Sequence, residues 1–439
     1  TYGLDGDVRV LKFDRNQNGI VEPGDGDHVW IFFGMRMGGD RYYALDVTDR
    51  HRPKLLWNIG PDELPGLGQT WSPPVVTRVR VGTNGSANKN KEKFVLIFGG
   101  GYDMVQENQP YATDSVGNRI FMVDAETGDL LWYAGGPGGS DTPDLQLAKM
   151  TNAIPGRITV IDTNGDQFAD RMYAADLGGR VWRFDIFNGQ PASSLVTGGV
   201  IAQLGAGSNG TQPNSAARRF YNAPDVALVQ RRGQDPYYNI AIGSGHRGHP
   251  LDEVTLDRFY SIRDKQPYAQ LSQSAYNSIT PILDSDLKSV HAIMDGSVTI
   301  TPGDNGWKLV FADMAGRVGE KVLSESITVG NVILFTTFQP TEPPAGDPCY
   351  PANINRAYAL SIDNGGPVID FNDDGILDEN DLSVDLQQDG IVGEVNVALL
   401  RDEGKNPPPT VCLAGLSVLN KCVSVGGTVR TFWERRDVQ

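Results

Sequence analysis

"RIFMVDAETGDLLWYAGG" (residues 119–136) consists of two alternating apolar runs joined by a short polar segment that contains glycine. Alternation with a period of two is typical of β-strands, and such a connection is typical of a hairpin. "RYYALDVTDRHRPKLLWNIG" (residues 41–60) repeats the pattern, with Asp at the end of the first run and Leu-Leu-Trp in the second. Shorter repeats occur at 180–189, 258–264 and 356–366. Repeated hairpins of this kind predict an all-β protein built from propeller blades.

The spacing of the repeats sets the expected organisation. They start about 60 to 100 residues apart, which exceeds the roughly 40–45 residues of a four-stranded blade, so insertions or poorly matching blades must fill the difference. We expect an acidic lead-in (1–26), propeller blades (27–340), and a closing blade with an acidic loop and a C-terminal appendage (341–439). Helical periodicity is scarce, and 141–150 and 268–278 are the candidates.

The tryptophans divide into two groups. Trp30, Trp57, Trp132 and Trp182 lie in strand patterns, and we expect them in blade cores. Trp71 lies in "GQTWSPP", between strands, where core packing is favoured and anchoring of a partner is the alternative.

The charge excludes one class of function. The chain has 38 Lys and Arg against 54 Asp and Glu, a formal net charge of −16. It would therefore be repelled by a phosphate backbone, and nucleic-acid binding is not expected. No run of 18 apolar residues occurs, so no membrane span is expected in this fragment. The chain starts at Thr1 rather than Met, and we expect a mature fragment of a longer protein.

The three cysteines, Cys349, Cys412 and Cys422, all lie in the last quarter of the chain, in Pro-rich or loop-like sequence. This placement is typical of a secreted protein with one disulfide bond. Cys412 and Cys422 are the candidate pair, which leaves one cysteine over. Three unpaired thiols are the alternative.

The segment "DTNGDQFAD" (162–170) has the spacing of a calcium-binding loop. Oxygen-bearing side chains fall at positions 1, 3, 5 and 9, with Gly165 at the bend and a backbone carbonyl at position 7, which is the EF-hand spacing truncated after position 9. The predicted ligands are Asp162, Asn164, Asp166, the carbonyl of Phe168, and Asp170. Hard oxygen ligands without sulfur or imidazole favour calcium over zinc or copper. A solvated acidic hairpin is the alternative.

Two further segments carry the twelve-residue form of this pattern. In "DFNDDGILDEND" (370–381) the predicted ligands are Asp370, Asn372, Asp374, the carbonyl of Ile376, Asp378 and Asp381. In "DRNQNGIVEPGD" (14–25) they are Asp14, Asn16, Asn18, the carbonyl of Ile20, Glu22 and Asp25. The second match is weakened by its two amides and by Pro23. For both segments a solvated loop is the alternative.

Several long strings agree, in order, with a known family. "HVWIFFGMRMGGDRYYALDVTDRHRPKLLWNIG", "VLIFGGGYD", "ITVIDTNGDQFADRMYAADLGGRVWRFD" and "YYNIAIGSGHRGHP" are among them. From about residue 27 to its end the chain resembles the C-terminal domain of the PilC/PilY-type pilus adhesins, type IV pilus biogenesis factors of Gram-negative bacteria. The resemblance implies a modified seven-bladed β-propeller with a calcium ion in the 162–170 loop. The other two acidic loops and a decorated C-terminal region would add to that plan.

The resemblance also implies a function, in which calcium occupancy opposes pilus retraction and so permits surface attachment and twitching motility. The expected partners are minor pilins, the pilus machinery and a host cell surface. The expected location of this exported protein is the periplasm, the outer-membrane surface or the pilus tip. An Arg-Gly-Asp tripeptide found in some members is absent here. The terminal strand "TVRTFWERR" (428–436) would close the ring or pair with a pilin.

A periplasmic quinoprotein-like β-propeller dehydrogenase is the alternative function, because calcium and Trp-bearing blades occur in that class too. Those enzymes hold their quinone near an adjacent Cys–Cys pair, and no two cysteines are adjacent here. The densest histidine cluster, His246 and His249 in "GSGHRGHP", is expected to cap a turn. Neither a G-x-S-x-G nor a G-x-x-x-x-G-K-[ST] string occurs, and we predict no enzymatic activity.

Overall fold

The computed structural model describes residues 3–82, 91–107, 111–136, 141–205, 214–341, 353–386, 388, 390–393, 396–400, 410–414, 422–424 and 430–431. These residues form six β-sheets. Their α-helices are α1 (Ala192–Leu195), α2 (Gln273–Ser278) and α3 (Val290–Met294). Their 3-10 helices are Pro23–Asp25, Arg36–Gly38, Met104–Glu107, Asn214–Ala216, Asp284–Asp286, Phe311–Asp313 and Glu379–Asp381.

The first three sheets are antiparallel meanders, and the second and third each have one short parallel strand at an edge. The first consists of β1 (Arg9–Phe13), β2 (His28–Gly34), β3 (Tyr42–Asp46) and β4 (Lys54–Ile59). The second consists of β5 (Val75–Val81), β6 (Lys91–Gly99), β7 (Arg119–Asp124), β8 (Leu130–Gly135) and the parallel β9 (Leu145–Gln146). The third consists of β10 (Thr159–Ile161), β11 (Arg171–Ala175), β12 (Arg180–Ile186), β13 (Val196–Gln203) and the parallel β17 (Ile282–Leu283).

The remaining sheets follow along the chain. The fourth consists of β14 (Asp225–Val229), β15 (Tyr237–Gly243), β16 (Arg258–Asp264) and β19 (Gly306–Val310), with β18 (Lys288–Ser289) and β27 (Arg430–Thr431) at its two edges. The fifth consists of β20 (Ile327–Val329), β21 (Val332–Pro340), β22 (Asn353–Ser361) and β23 (Ser383–Leu386). The sixth consists of β24 (Asn396–Leu400), β25 (Thr410–Ala414) and β26 (Cys422–Ser424).

The first five sheets stack face to face in chain order, which explains why their inner strands are apolar on both sides. In β7, Ile120 and Met122 belong to a core cluster shared with the third sheet, whereas Phe121 and Val123 belong to a cluster shared with the first sheet. Two further clusters join the third sheet to the fourth and the fourth to the fifth. Face-to-face packing of successive meander sheets is the arrangement of propeller blades.

The predicted all-β class and both long hairpins are confirmed. Residues 41–60 form β3 and β4, and residues 119–136 form β7 and β8. The helix candidate 268–278 contains α2, but the candidate 141–150 is wrong, because it contains β9, which extends the edge of the second sheet. β1 lies inside the expected lead-in 1–26 and pairs with β2. Since the described residues form six sheets, the count of seven blades stays a prediction.

Two backbone pairings near the C-terminus bear on the sequence analysis. Arg430 and Thr431, in the terminal segment 428–436, pair antiparallel with β14. Cys412 is the direct cross-strand partner of Cys422. Antiparallel partners have Cα atoms about 4.5–5.5 Å apart, a spacing that a disulfide bond accommodates. The bond itself stays a prediction, and Cys349 lies outside the described residues.

The four tryptophans expected in blade cores are buried, with 9% or less of their surface exposed. Trp132 and Trp182 belong to the same cluster but differ in one hydrogen bond. Nε1 of Trp182 donates to Oδ2 of the buried Asp176 at 2.9 Å. Within the described residues, Nε1 of Trp132 has no hydrogen-bond partner.

This difference predicts unequal effects of one substitution at two similar sites. Trp182→Phe removes a donor from a buried carboxylate, whereas Trp132→Phe loses only ring volume. We expect Trp182→Phe to lower the free energy of unfolding by about 1–3 kcal/mol more than Trp132→Phe does. Urea denaturation of both variants measures this difference, and equal losses would contradict it.

Asp225, at the start of β14, predicts a pH-dependent stability. Its carboxylate accepts a hydrogen bond from the hydroxyl of Thr328 in β20. Burial is the main cause that raises the pKa of Asp225 to about 7; the charge of Glu325 adds to this, and the charge of Arg157 opposes it. The folded protein therefore binds this proton more tightly than the unfolded chain, and stability falls as the pH rises from about 4 to about 7.

Asp225→Asn should remove that loss of stability. We expect the variant to raise the melting temperature, relative to wild type, by more at pH 8 than at pH 4. Thermal unfolding of both proteins at the two pH values tests this expectation. The same shift at both pH values would show that the carboxyl titrates normally in the folded state.

Candidate metal centres

The loop of residues 370–381 joins β22 to β23 and brings three carboxylates together. Oxygen atoms of Asp370, Asp374 and Asp381 all lie within 4.8 Å of one another. Two oxygens bound to one calcium ion at about 2.4 Å are separated by at most about 4.8 Å. The three carboxylates can therefore contact a single cation.

Backbone N–H groups hold these carboxylates in place. The side chain of Asp381 is fully buried, with 0% exposed, and accepts hydrogen bonds from the N–H groups of Phe371 at 2.7 Å and Asp378 at 3.2 Å. Asp370 accepts from the N–H of Gly375 at 2.8 Å. The bend at Gly375 has φ +82°, a left-handed conformation that glycine adopts without strain. The first and last carboxylates of the loop are thus both held by backbone donors.

The 162–170 loop joins β10 to β11. Asp162 accepts hydrogen bonds from the N–H groups of Gly165 at 2.6 Å and Gln167 at 2.7 Å. Asp170 accepts from the N–H of Thr163 at 2.9 Å and from its hydroxyl at 2.7 Å. Burial, and secondarily the charges of the other two acids of the loop, raise the pKa of Asp170. In the described part of the chain, the three carboxylates of this loop do not form a group as close as that of the 370–381 loop.

An arginine of the neighbouring sheet lies against the 162–170 loop. The guanidinium of Arg80, in β5, is 3.7 Å from Oδ2 of Asp166 and 3.6 Å from the ring centroid of Phe168. It partly neutralises Asp166, and a cation bound by this carboxylate would compete with it. The spacing of residues within the loop could not reveal this contact.

The first acidic loop joins β1 to β2. Asp14 is buried, with 8% exposed. Its Oδ2 accepts from the N–H of Gly19 at 2.7 Å, and within the described residues its buried Oδ1 has no hydrogen-bond partner. Asp25, predicted at position 12, lies exposed in the 3-10 helix Pro23–Asp25.

Asp27, rather than Asp25 as the spacing predicts, is the acid that closes this loop. It accepts from the N–H groups of Arg15 at 2.8 Å and Glu22 at 2.9 Å, the second and ninth residues of the loop. These two bonds lower the pKa of Asp27. Asp381 accepts from the second and ninth residues of its own loop in the same way. The 3-10 helix lengthens the loop by two residues, so counting from Asp14 misses Asp27, although it is the last acid before β2.

The three loops therefore share one backbone template. In each, a closing carboxylate accepts a hydrogen bond from the N–H of the second loop residue: Asp27 from Arg15, Asp170 from Thr163, and Asp381 from Phe371. Each loop connects two adjacent antiparallel strands of one sheet. What differs is the number of residues before the closing acid.

The histidine pair has a structural role. Nε2 of His246 lies 3.0 Å from the carbonyl oxygen of Gln106, and Nε2 of His249 lies 2.6 Å from that of Glu107. Burial lowers the pKa of His246 to about 4, so its neutral ring donates through Nε2. The two rings hold the connection between β15 and β16 against the 3-10 helix Met104–Glu107.

The described helices are too short and too polar for any of them to span a bilayer. Residues 1–246 match the family model of the PilY1 β-propeller domain. The type IV pilus biogenesis factor PilY1 of Pseudomonas aeruginosa is 27% identical over 439 residues, which covers 88% of this chain and 34% of that protein. A PilY1 homolog of Xylella fastidiosa is 23% identical over 351 residues, with coverages of 76% and 22%.

The crystal structure of the Pseudomonas aeruginosa PilY1 C-terminal domain is similar in fold. It matches with a TM-score of 0.61 and 22% identity, over 96% of this chain and 84% of that one. The chain spans about a third of the length of the Pseudomonas aeruginosa relatives.

Proposed function

We propose, since this chain belongs to the PilY1 β-propeller family, that it is the calcium-binding part of an exported type IV pilus biogenesis factor. Its propeller would be the modified seven-bladed ring of the family, with a decorated C-terminal region. The role is one of binding and assembly without catalysis, because the curated relatives are pilus biogenesis factors.

The observation that supports calcium binding is the convergence of Asp370, Asp374 and Asp381 within 4.8 Å. Three carboxylates this close repel one another unless a cation neutralises them. The proposed ligand set of this loop also includes Asn372, the carbonyl of Ile376 and Asp378. The 162–170 loop would bind a second ion through the five ligands predicted from its spacing. The first loop would bind a third, with Asp27 in place of Asp25.

Calcium occupancy would favour pilus extension over retraction and so promote surface attachment and twitching motility. The loops join neighbouring strands, so an ion that neutralises a loop also stabilises the sheet edge beside it. A tip-associated adhesin made of such sheets would respond to the calcium concentration outside the cell. The proposed partners are minor pilins, the pilus machinery and a host cell surface. The proposed location is the periplasm, the outer-membrane surface or the pilus tip.

Complementation of a type IV-piliated bacterium that lacks its own PilY1 tests this proposal. The full-length protein would carry Asp27→Ala, Asp166→Ala or Asp374→Ala, with Asp235→Ala, an exposed acid outside the loops, as the matched control. Surface piliation and twitching would be measured with and without a calcium chelator.

We expect the chelator to reduce piliation in the wild type, and at least one loop variant to show the same loss in calcium-rich medium. The control variant should behave like the wild type. Unchanged piliation in all variants and with the chelator would rule out calcium regulation, while leaving the family assignment intact.

A further inference from the structure

A cavity of about 500 Å³ lies where the connections between the sheets converge. Its walls include Arg36 from between β2 and β3, Trp71 from between β4 and β5, and Arg157 from between β9 and β10. Asn222 precedes β14, and Arg247 lies between β15 and β16. The walls thus come from connections within and between the first five sheets, and we call this space the axial cavity. Its volume is in the range of small-molecule sites, about 300–1,000 Å³.

The arginines of the axial cavity are unequally neutralised. Arg157 forms an ion pair with Glu325 at 2.8 Å. Arg36 lies 3.8 Å from Asp5, whose side chain is 45% exposed, so this pair is weak. Arg247 donates one hydrogen bond, to the carbonyl oxygen of Leu323 at 2.7 Å.

Arg247 is the decisive residue because, among the described residues, no carboxylate forms a salt bridge with it. The ionisable groups that affect the pKa of Arg247 are Arg36 and Tyr221, neither of which is a carboxylate. Burial, and secondarily the positive charge of Arg36, lower the pKa of Arg247. A guanidinium nevertheless stays protonated in proteins. The cavity lining therefore holds three arginines against two acids, Glu325 and Asp7. Glu325 pairs with Arg157 and the side chain of Asp7 is 66% exposed, so the lining keeps an excess of positive charge.

Two further features suit an acceptor-bearing ligand. The ring of Trp71 lies 4.9 Å from the guanidinium carbon of Arg36, a cation–π contact that fixes this arginine without neutralising it. Nδ2 of Asn222 is buried and, within the described residues, has no hydrogen-bond acceptor. Unused donors of this kind are costly unless a ligand or water supplies acceptors.

We propose that the axial cavity binds a compact organic anion whose carboxylate or phosphate group contacts Arg36 and Arg247. Arginine is suited to such groups because its planar fork donates two parallel hydrogen bonds to their oxygens. The excess of positive charge in the cavity contrasts with the net charge of −16 of the protein as a whole. This inference does not depend on calcium.

Calorimetry on metal-free protein tests the proposal with succinate and inorganic phosphate as probes. Succinamide, which has the shape of succinate without its charge, is the ligand control. Arg247→Gln is the test variant, and Arg232→Gln, which removes an exposed arginine outside the cavity, is the protein control. Melting temperatures without ligand show whether each variant is folded.

We expect at least one of the two anions to bind wild type and Arg232→Gln alike, and to bind Arg247→Gln about tenfold or more weakly, as expected for the loss of a charge-assisted hydrogen bond. Binding of succinate alone would identify a carboxylate ligand, and binding of phosphate alone a phosphorylated one. Binding of neither anion, equal binding by folded Arg247→Gln, or equal binding of succinamide would overturn the proposal.

Discussion

Calcium is expected to raise the melting temperature of the wild-type protein, and Asp374→Ala should remove the share contributed by the 370–381 loop. Asp374 is one of three acids whose oxygens lie within 4.8 Å of one another. Loss of a partner that only orients a ligand typically weakens metal binding by about 10–100-fold, so loss of a ligand should cost at least as much. A ligand that binds only the folded state raises its stability with concentration, so a calcium titration followed by melting temperature measures the loss.

The matched control for this variant is Asp373→Asn. Asp373 immediately precedes Asp374 in the same loop, is not in a predicted ligand position, and has φ +62°, which asparagine tolerates. The substitution changes the charge of the loop by the same amount but removes no ligand. If Asp373→Asn weakened the calcium response as much as Asp374→Ala, the effect would be one of net charge, and coordination by Asp374 would be wrong.

Asp185→Ala is expected to destabilise the protein more than any change on its surface. The carboxylate of Asp185 is fully buried, 2.7 Å from Nε of Arg171 and 3.0 Å from Nη2 of Arg183. It also accepts a hydrogen bond from the hydroxyl of Tyr276, in α2, at 2.7 Å. Arg183 keeps its pair with Asp264 at 3.0 Å, but Arg171 loses its buried carboxylate partner, which costs about 3–5 kcal/mol.

Urea denaturation of Asp185→Ala beside Asp363→Ala measures the difference. Asp363 pairs with Arg231 at 2.7 Å, but the two side chains are 49% and 33% exposed. Exposed pairs contribute about 0–1 kcal/mol, so this control should change stability little. Similar losses in both variants would show that the buried network does not stabilise the third sheet.

Local features of the fold were predictable from the sequence, because they depend on neighbouring residues. Alternating apolar residues and a glycine-containing turn identify the β7–β8 hairpin, because both features occur within one short segment of the sequence. The helix predicted at 141–150 was wrong because the two-residue strand found there forms by pairing with β8 and leaves no pattern of its own in the sequence. The repeats alone did not give the number of sheets, because blades of unequal length obscure the period, and the seven-bladed count implied by the resemblance stays a prediction.

The candidate sites divide in the same way. The 370–381 loop is one segment with fixed spacing, so its converging acids were predictable. Asp27 was missed because a short 3-10 helix changes the count, and Arg80 was missed because it reaches the 162–170 loop from another sheet. The axial cavity was beyond prediction, because Arg36 and Arg247 are far apart in the sequence and are brought together only when the sheets assemble.

The acidic loops of this PilY1-family propeller are proposed to bind calcium. The most direct test is calorimetric titration of calcium into the metal-free wild-type protein, beside Asp166→Ala and Asp374→Ala. We expect saturable binding in the wild type and the loss of a different site in each variant. No heat of binding in the wild type, together with an unchanged melting temperature in calcium, would contradict this expectation and leave the three loops as solvated turns.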